Sequence, residues 1–383
     1  MSSFPRPIPR DALWPLLGDV PREVFSEEFT AACEALDVFV GDCLRFLVAS
    51  LSLERFSGTP ETLAEVRRLS GHGRSLVRWL FECLELYGLA SRQERVFSVN
   101  VEGCPVDLNR ALEEAVAASP GAEAAFAVQK LATEALPGVL AGTMTGEEAL
   151  FSLSQLDLWF RYFANSNVHY SPTNRLAALA LNRAVARGAR ILELGGGGGS
   201  AAEAALQALM AAGKPPSLYV FTEIHPAFLR RGSRLVRQVL PEGCELVIRS
   251  YDINFPPTDQ GFGDELFDAV FAVNVLHLAD DPVAALAHLR TLLAPGGVLV
   301  LGELIRPDFL APVHLELPFL LLESYHRART LDGIRARPGF LCLAGWYRAL
   351  QAAGFAEVQV LPNALDRCLE MYPGFYCAAM LAR

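Results

Sequence analysis

The chain has 383 residues, 52% of them hydrophobic, which is enough for two domains and at least one large core. Its formal net charge of −10 excludes wrapping nucleic acid or docking on anionic lipid through overall charge. No run approaches the roughly 18 apolar residues of a membrane span.

The opening stretch, MSSFPRPIPRDALWPLLGDVPREVF, carries prolines and charges where a signal peptide needs an apolar region. The eight cysteines (Cys33, Cys43, Cys83, Cys104, Cys244, Cys342, Cys368 and Cys377) form no C-x-x-C pair, and most lie in apolar runs. Reduced thiols and a cytoplasmic location are expected.

Residues 1–104 read as a helical, winged-helix-like domain. A short helix, the turn Ser70-Gly71-His72-Gly73, and a second helix with Leu76, Leu80, Cys83, Leu84 and Tyr87 on its apolar side lead into a hairpin ending VFSVN. Arg67, Arg68, Arg74 and Arg78 lie near the second helix and admit a DNA-binding reading. The acidity of the chain favours a dimerisation or substrate-lid role instead, because flanking phosphate contacts supply most of DNA affinity. Residues 105–185 read as a helical connector with breaks at Pro120-Gly121 and Pro137-Gly138. Residues 186–383 alternate β-rich runs with helices: RILEL, SLYVFT, CELVIR, FDAVFAVN, GGVLVLG, a run near AEVQVL and one near GFYCAAML. Such alternation builds a doubly wound, mainly parallel α/β sheet of seven strands.

After the first of these runs comes LELGGGGGSAAEAALQAL. Strand, glycine turn and helix N-terminus make a place where backbone amides face a ligand at close range. Glu193, Gly195, Gly197 and Gly199 fit an acidic-x-Gly-x-Gly-x-Gly spacing, which alone is weak evidence. Glu193 would repel a pyrophosphate and accept from an ammonium. Glu223, in FTEIHP, is placed to accept both hydroxyls of a ribose. Asp252, in SYDINFPP, follows the third strand and would take an adenine amino group, with Ile253 and Phe255 against the ring. Three acids at successive strand ends with a glycine loop describe a pocket for a cationic adenosyl amino acid.

ILELGGGGGS, FTEIHP, SYDINFPP and LFDAVFAVNVLHLADDPVAALAHLRTLLAPGGVLVLGELI resemble the successive motifs of class I S-adenosylmethionine-dependent methyltransferases. The resemblance implies a Rossmann-like sheet, S-adenosylmethionine as cofactor, and cofactor contacts that also include Ile224, Asn274 and Tyr170. Glycines at 196 and 198, where the family usually has larger residues, imply a floppier loop. LPGVLAGTMTGEEALFS, NVLHLADD and GFLCLAGWYRALQAAGFAEVQVLP resemble the C-methyltransferase domains of polyketide synthases. The front domain resembles the dimerisation domain of small-molecule O-methyltransferases, which implies a homodimer.

His277 follows the fourth strand of the sheet and Glu303 the fifth, and these strands are neighbours in a doubly wound methyltransferase sheet. A carboxylate there would fix the imidazole tautomer, so His277 is expected to act as general base with Glu303 orienting it. In the resembling C-methyltransferases a matching His–Glu pair takes the α-proton of a β-ketoacyl thioester. His169 and Tyr170 precede the sheet where a lid would cross the cofactor. His314, Glu316, Glu323 and His326 cluster in HLELPFLLLESYH, but their spacing does not share one helical face, so no metal is expected and the segment reads as an acceptor-pocket wall.

The expected function is methylation, at carbon or oxygen, of a small-molecule or carrier-protein-bound acyl acceptor, with neither nucleic acid nor membrane as partner. The alternatives are an O-methyltransferase acting on a free hydroxyl, a winged-helix regulator that senses the cofactor, and a cyclase that uses the cofactor without transferring its methyl.

Overall fold

The computed structural model describes residues 7–101, 106–263 and 265–383. Cys104 and the expected boundary at 104/105 lie outside them.

The front of the chain is built on helix Glu27–Ser50, whose first amides are capped by the Ser26 hydroxyl, which accepts from Phe29 N. A second pair of helices, Pro60–Val66 and Gly71–Leu86, follows, the latter capped by Ser70. Strands β1 (Ser57–Gly58), β2 (Ala90–Gln93) and β3 (Val96–Val99) form an antiparallel sheet in the order β1-β3-β2. Of the arginines considered for DNA contact, Arg78 pairs with Glu61 at 2.9 Å and Arg67 donates to the Leu51 carbonyl.

The connector is built of helices, Leu108–Ala118, Glu123–Ala141, Gly146–Leu150, Leu156–Tyr162 and Ser171–Ala184, joined by turns. One expectation is corrected: Pro137-Gly138 does not break it, and the helix Glu123–Ala141 runs through to Gly142, which ends it at φ +69°. Proline removes a single amide donor, and here it stands near the helix end, between the buried side chains of Leu136 and Leu140.

The remaining strands are β4 (Arg190–Leu194), β5 (Leu218–Thr222), β6 (Glu245–Arg249), β7 (Phe267–Val273), β8 (Leu293–Leu304), β9 (Val358–Leu361) and β10 (Cys377–Ala382). They form one sheet in the order β6-β5-β4-β7-β8-β10-β9. The first five pair in parallel; β10 runs antiparallel between β8 and β9. Every residue of β5 and β10 is buried, as expected where helices cover both faces. Helix Ser171–Ala184 packs on β8 and β10, and helix Ser200–Ala211 packs beside it.

The order of strands switches direction at β4, with β5 on one side and β7 on the other. Ligands of open α/β sheets bind in the crevice at such a point, outside the carboxyl ends of the strands. The front helices close over that end. Trp79 Nε1 donates to Val313 O at 3.0 Å, Arg337 pairs with Glu82 at 2.7 Å, and Tyr372 donates to the buried Asp37 at 2.6 Å.

Candidate active site

The glycine loop follows β4. Gly195, Gly197 and Gly199 have φ of +55°, +54° and +91°, a region side chains rarely enter. Gly196 lacks a side chain for another reason. A Cβ there would overlap the ring of Phe221 in β5, and the same ring fills the space beside Gly232 in helix Pro226–Val239. The extra glycine at 196 is therefore a packing requirement. Gly197 and Gly198 are different: a Cβ on either would meet nothing nearer than 3.8 Å. The open face of the loop lies over these two residues.

Three acids surround the loop. Glu223 is 8% exposed; its Oε2 accepts from Gly197 N at 2.9 Å and its Oε1 from His225 N at 2.7 Å, so two amides aim its carboxylate at the loop. Asp252 Oδ1 accepts from Asn254 N at 2.9 Å, and Gln260 brackets its backbone through both amide and carbonyl. Ile224 and Phe255 are exposed and Ile253 is half-buried, an apolar margin beside these acids. Glu193 is turned inward at 1% exposure. Its Oε2 accepts from Tyr219 at 3.0 Å while Oε1 has no partner, and burial pushes its carboxyl up to about 8, against the opposing hydrogen bond from Tyr219.

Across β7 and β8 stand the other two expected residues. Asn274, at φ +53°, ends β7 in a left-handed turn that asparagine tolerates. Its side chain accepts from Leu304 N at 3.1 Å and donates to the Tyr170 hydroxyl at 3.3 Å. Three residues on, His277 Nδ1 lies 2.7 Å from Glu303 Oε2, with exposures of 4% and 0%. Glu303 lies within β8 rather than after it, paired with Ala378 of β10. Its Oε1 accepts from Val275 N at 3.3 Å and Leu276 N at 2.9 Å. With every neighbour a donor, the carboxylate also takes the Nδ1 proton, which leaves Nε2 as the lone-pair nitrogen. Among the described residues Nε2 has no hydrogen-bond partner.

Residues 192–299 match the family description "Methyltransferase domain". The chain carries a methyltransferase domain. It is 33% identical over 175 residues to the highly reducing polyketide synthase ACRTS2 of Alternaria alternata, covering 45% of this chain and 7% of that protein. It is 30% identical over 233 residues to the polyketide synthase ThaQ of Burkholderia thailandensis, covering 58% of this chain and 11% of that protein. The chain thus spans only about a tenth or less of the length of these relatives. In fold it is similar to the CurJ carbon methyltransferase, with a TM-score of 0.73, 22% identity and coverage of 97% and 96% of the two chains. It is similar also to the DszA carbon methyltransferase, with a TM-score of 0.72, 22% identity and coverage of 100% and 97%.

Tyr170 and His169 line a narrow cavity with Phe29, Thr173, Leu304 and Tyr376, beside the Asn274 turn. Burial pushes the Tyr170 hydroxyl up to about 12 and the His169 imidazole down to about 4, so both are neutral near pH 7. The four residues weighed as metal ligands have separate partners: Glu316 holds Arg306 at 2.6 Å, His314 meets Tyr87 at 3.3 Å, His326 meets Leu320 O at 2.9 Å, and Glu323 receives nothing from the other three. Glu316 also accepts from Tyr325 and Phe340 N, and the Phe340 ring stands edge-on to His277 at 4.7 Å. Arg306 and Glu316 are the residues of this wall that sequence reading missed as a pair; a lone arginine after an apolar strand was the available signal.

Proposed function

We propose that this enzyme transfers a methyl group from S-adenosylmethionine to the α-carbon of a β-ketoacyl thioester in polyketide-type biosynthesis, the acyl group being presented as a small molecule or on a carrier protein. The observation that carries the reading is the His277–Glu303 pair at 2.7 Å, set at the ends of adjacent strands beside the glycine loop. The curated relatives at 30% and 33% identity are polyketide synthases, which supports an acyl acceptor.

The residues present fit the cofactor. The open face over Gly197 and Gly198 leaves room for a ligand against the main chain, and Glu223 stands ready beside it for a ribose diol. In this reading Asp252 takes the adenine amino group between Ile224, Ile253 and Phe255, and Asn274 and Tyr170 face the amino-acid end. Glu193, buried, bonded to Tyr219 and mostly neutral near pH 7, braces the loop from beneath and does not reach an ammonium. When bound, the cofactor supplies an electrophilic methyl on a positively charged sulfur. His277 Nε2 takes the acidic proton of the acceptor, and Glu303 stabilises the imidazolium that forms. The rings of Phe340 and Tyr325 keep water from the base. The front unit, winged-helix-like, is the lid over the acceptor and the surface through which two copies pair.

The test uses a free β-ketoacyl thioester and methyl-labelled cofactor, with the product located by mass and carbon NMR. His277→Gln should retain affinity for S-adenosylhomocysteine by calorimetry and lose about 10²- to 10⁴-fold in turnover. Unchanged turnover would remove the base; label on oxygen would move the enzyme to hydroxyl methylation.

A further inference from the structure

The turn that carries His277 is held from both ends. Its first amides, Val275 and Leu276, meet Glu303 Oε1. Its carbonyls meet Arg335. Nη1 donates to His277 O at 3.3 Å and Ala279 O at 2.8 Å, Nη2 donates to Asp280 O at 2.6 Å, and Nε donates to Arg329 O at 2.7 Å. The loop that supplies Arg335 is closed on itself by Leu331 N to Arg335 O and Arg335 N to Leu331 O, each 2.8 Å, and it is tied to the turn by Arg329 N to Asp280 O at 2.9 Å. A carboxylate thus binds the donor end of a short 3₁₀ segment and a guanidinium binds its acceptor end, the arrangement the peptide dipoles favour.

Arg335 is 1% exposed, and among the described residues it has no carboxylate within 4.0 Å. Burial pushes it down to about 10, partly offset by the charges of Asp281 and Asp280, so it remains cationic at neutral pH. Fastening a loop does not require a dehydrated cation, because neutral donors can satisfy carbonyls without the desolvation cost of a charge. What the guanidinium adds is a planar fork that reaches three carbonyls of one turn, those of His277, Ala279 and Asp280, from a single side chain.

We infer that Arg335 is the positioning residue of the general base: it fixes the His277 turn through three carbonyls, and so fixes where the imidazole stands. Glu303 of β8 holds the amide end of the turn and the imidazole Nδ1, and Arg335 of the 329–335 loop holds its carbonyl end. Tyr325, whose hydroxyl is committed to Glu316 and thereby to Arg306, contributes a ring.

This inference rests on His277 being the base, and the experiment separates the two. kcat and KM are measured separately with a free β-ketoacyl thioester for wild type, His277→Gln, Arg335→Gln and Arg335→Lys, with S-adenosylhomocysteine affinity as the check on folding. Arg335→Gln should lose about 10²-fold in kcat, with KM and the affinity for S-adenosylhomocysteine as in wild type. Arg335→Lys should recover only part of kcat, because an ammonium lacks the planar fork. Wild-type kcat in both variants, or a loss in Arg335→Gln that falls on KM rather than kcat, overturns the proposal. Should Arg335→Gln fail to fold, Arg335→Lys decides alone: lowered kcat with intact affinity supports it and wild-type kcat refutes it. An inactive His277→Gln beside unaltered arginine variants sinks this inference only; an active one sinks the base as well.

Discussion

Replacing Glu193 by glutamine should make the protein more resistant than wild type to unfolding in alkaline solution. The carboxyl is buried beneath the glycine loop with one oxygen bonded to Tyr219 and the other unpartnered, and its pKa stands at about 8 against an ordinary value of 4.5. A carboxyl whose folded-state pKa is raised stabilises the fold fully below about pH 4.5, and that contribution is lost as pH rises through 8. The whole interval corresponds to about 5 kcal/mol, of which roughly half falls between about pH 6 and pH 9. Glutamine is nearly the same shape and does not titrate. The stability of Glu193→Gln relative to wild type should therefore improve by about 2–3 kcal/mol from about pH 6 to pH 9. Urea unfolding of both proteins at the two pH values, followed by tryptophan fluorescence, measures this. A difference between the proteins that does not change with pH would refute the reasoning. So would a change of the opposite sign.

Two further outcomes follow from packing. Gly196→Ala places a methyl group in the Phe221 ring and should cost about 1–3 kcal/mol, recovered in part by Phe221→Leu, whereas Gly198→Ala, with open space before it, should leave thermal stability unchanged. Arg306→Met leaves the buried Glu316 charge without its partner and should destabilise by about 3–5 kcal/mol, read as a fall in the urea midpoint.

The parallel half of the sheet was legible because strands buried on both faces are continuous apolar runs bounded by glycine, proline or polar turns; RILEL, SLYVFT and FDAVFAVN announce themselves. That β10 enters antiparallel between β8 and β9 was not legible from spacing, since pairing order depends on which edge remains open when the last strand arrives. The approach of His277 to Glu303 was legible because two strand ends adjacent in the sheet must be close. Arg335 was hidden: in GIRARPGF nothing marks one arginine as a donor to carbonyls more than fifty residues away. Gly196 was misread as surplus flexibility because its neighbour Phe221 is distant in the chain, and Pro137 as a break because position within a helix, not identity alone, decides what proline does.

The ring of Phe221 has a bearing on how this lineage can change. Because it occupies the room left by two residues on separate segments, Gly196 and Gly232, no ancestor or descendant can acquire a side chain at either position while the phenyl group persists. The aromatic must shrink first, passing through an underfilled intermediate. Position 232 stays bare in either case, since a Cβ there would also lie 2.5 Å from the Gly197 carbonyl oxygen, so natural relatives should divide at 196: glycine beside a phenylalanine, a side chain beside something smaller, and mixed combinations rare.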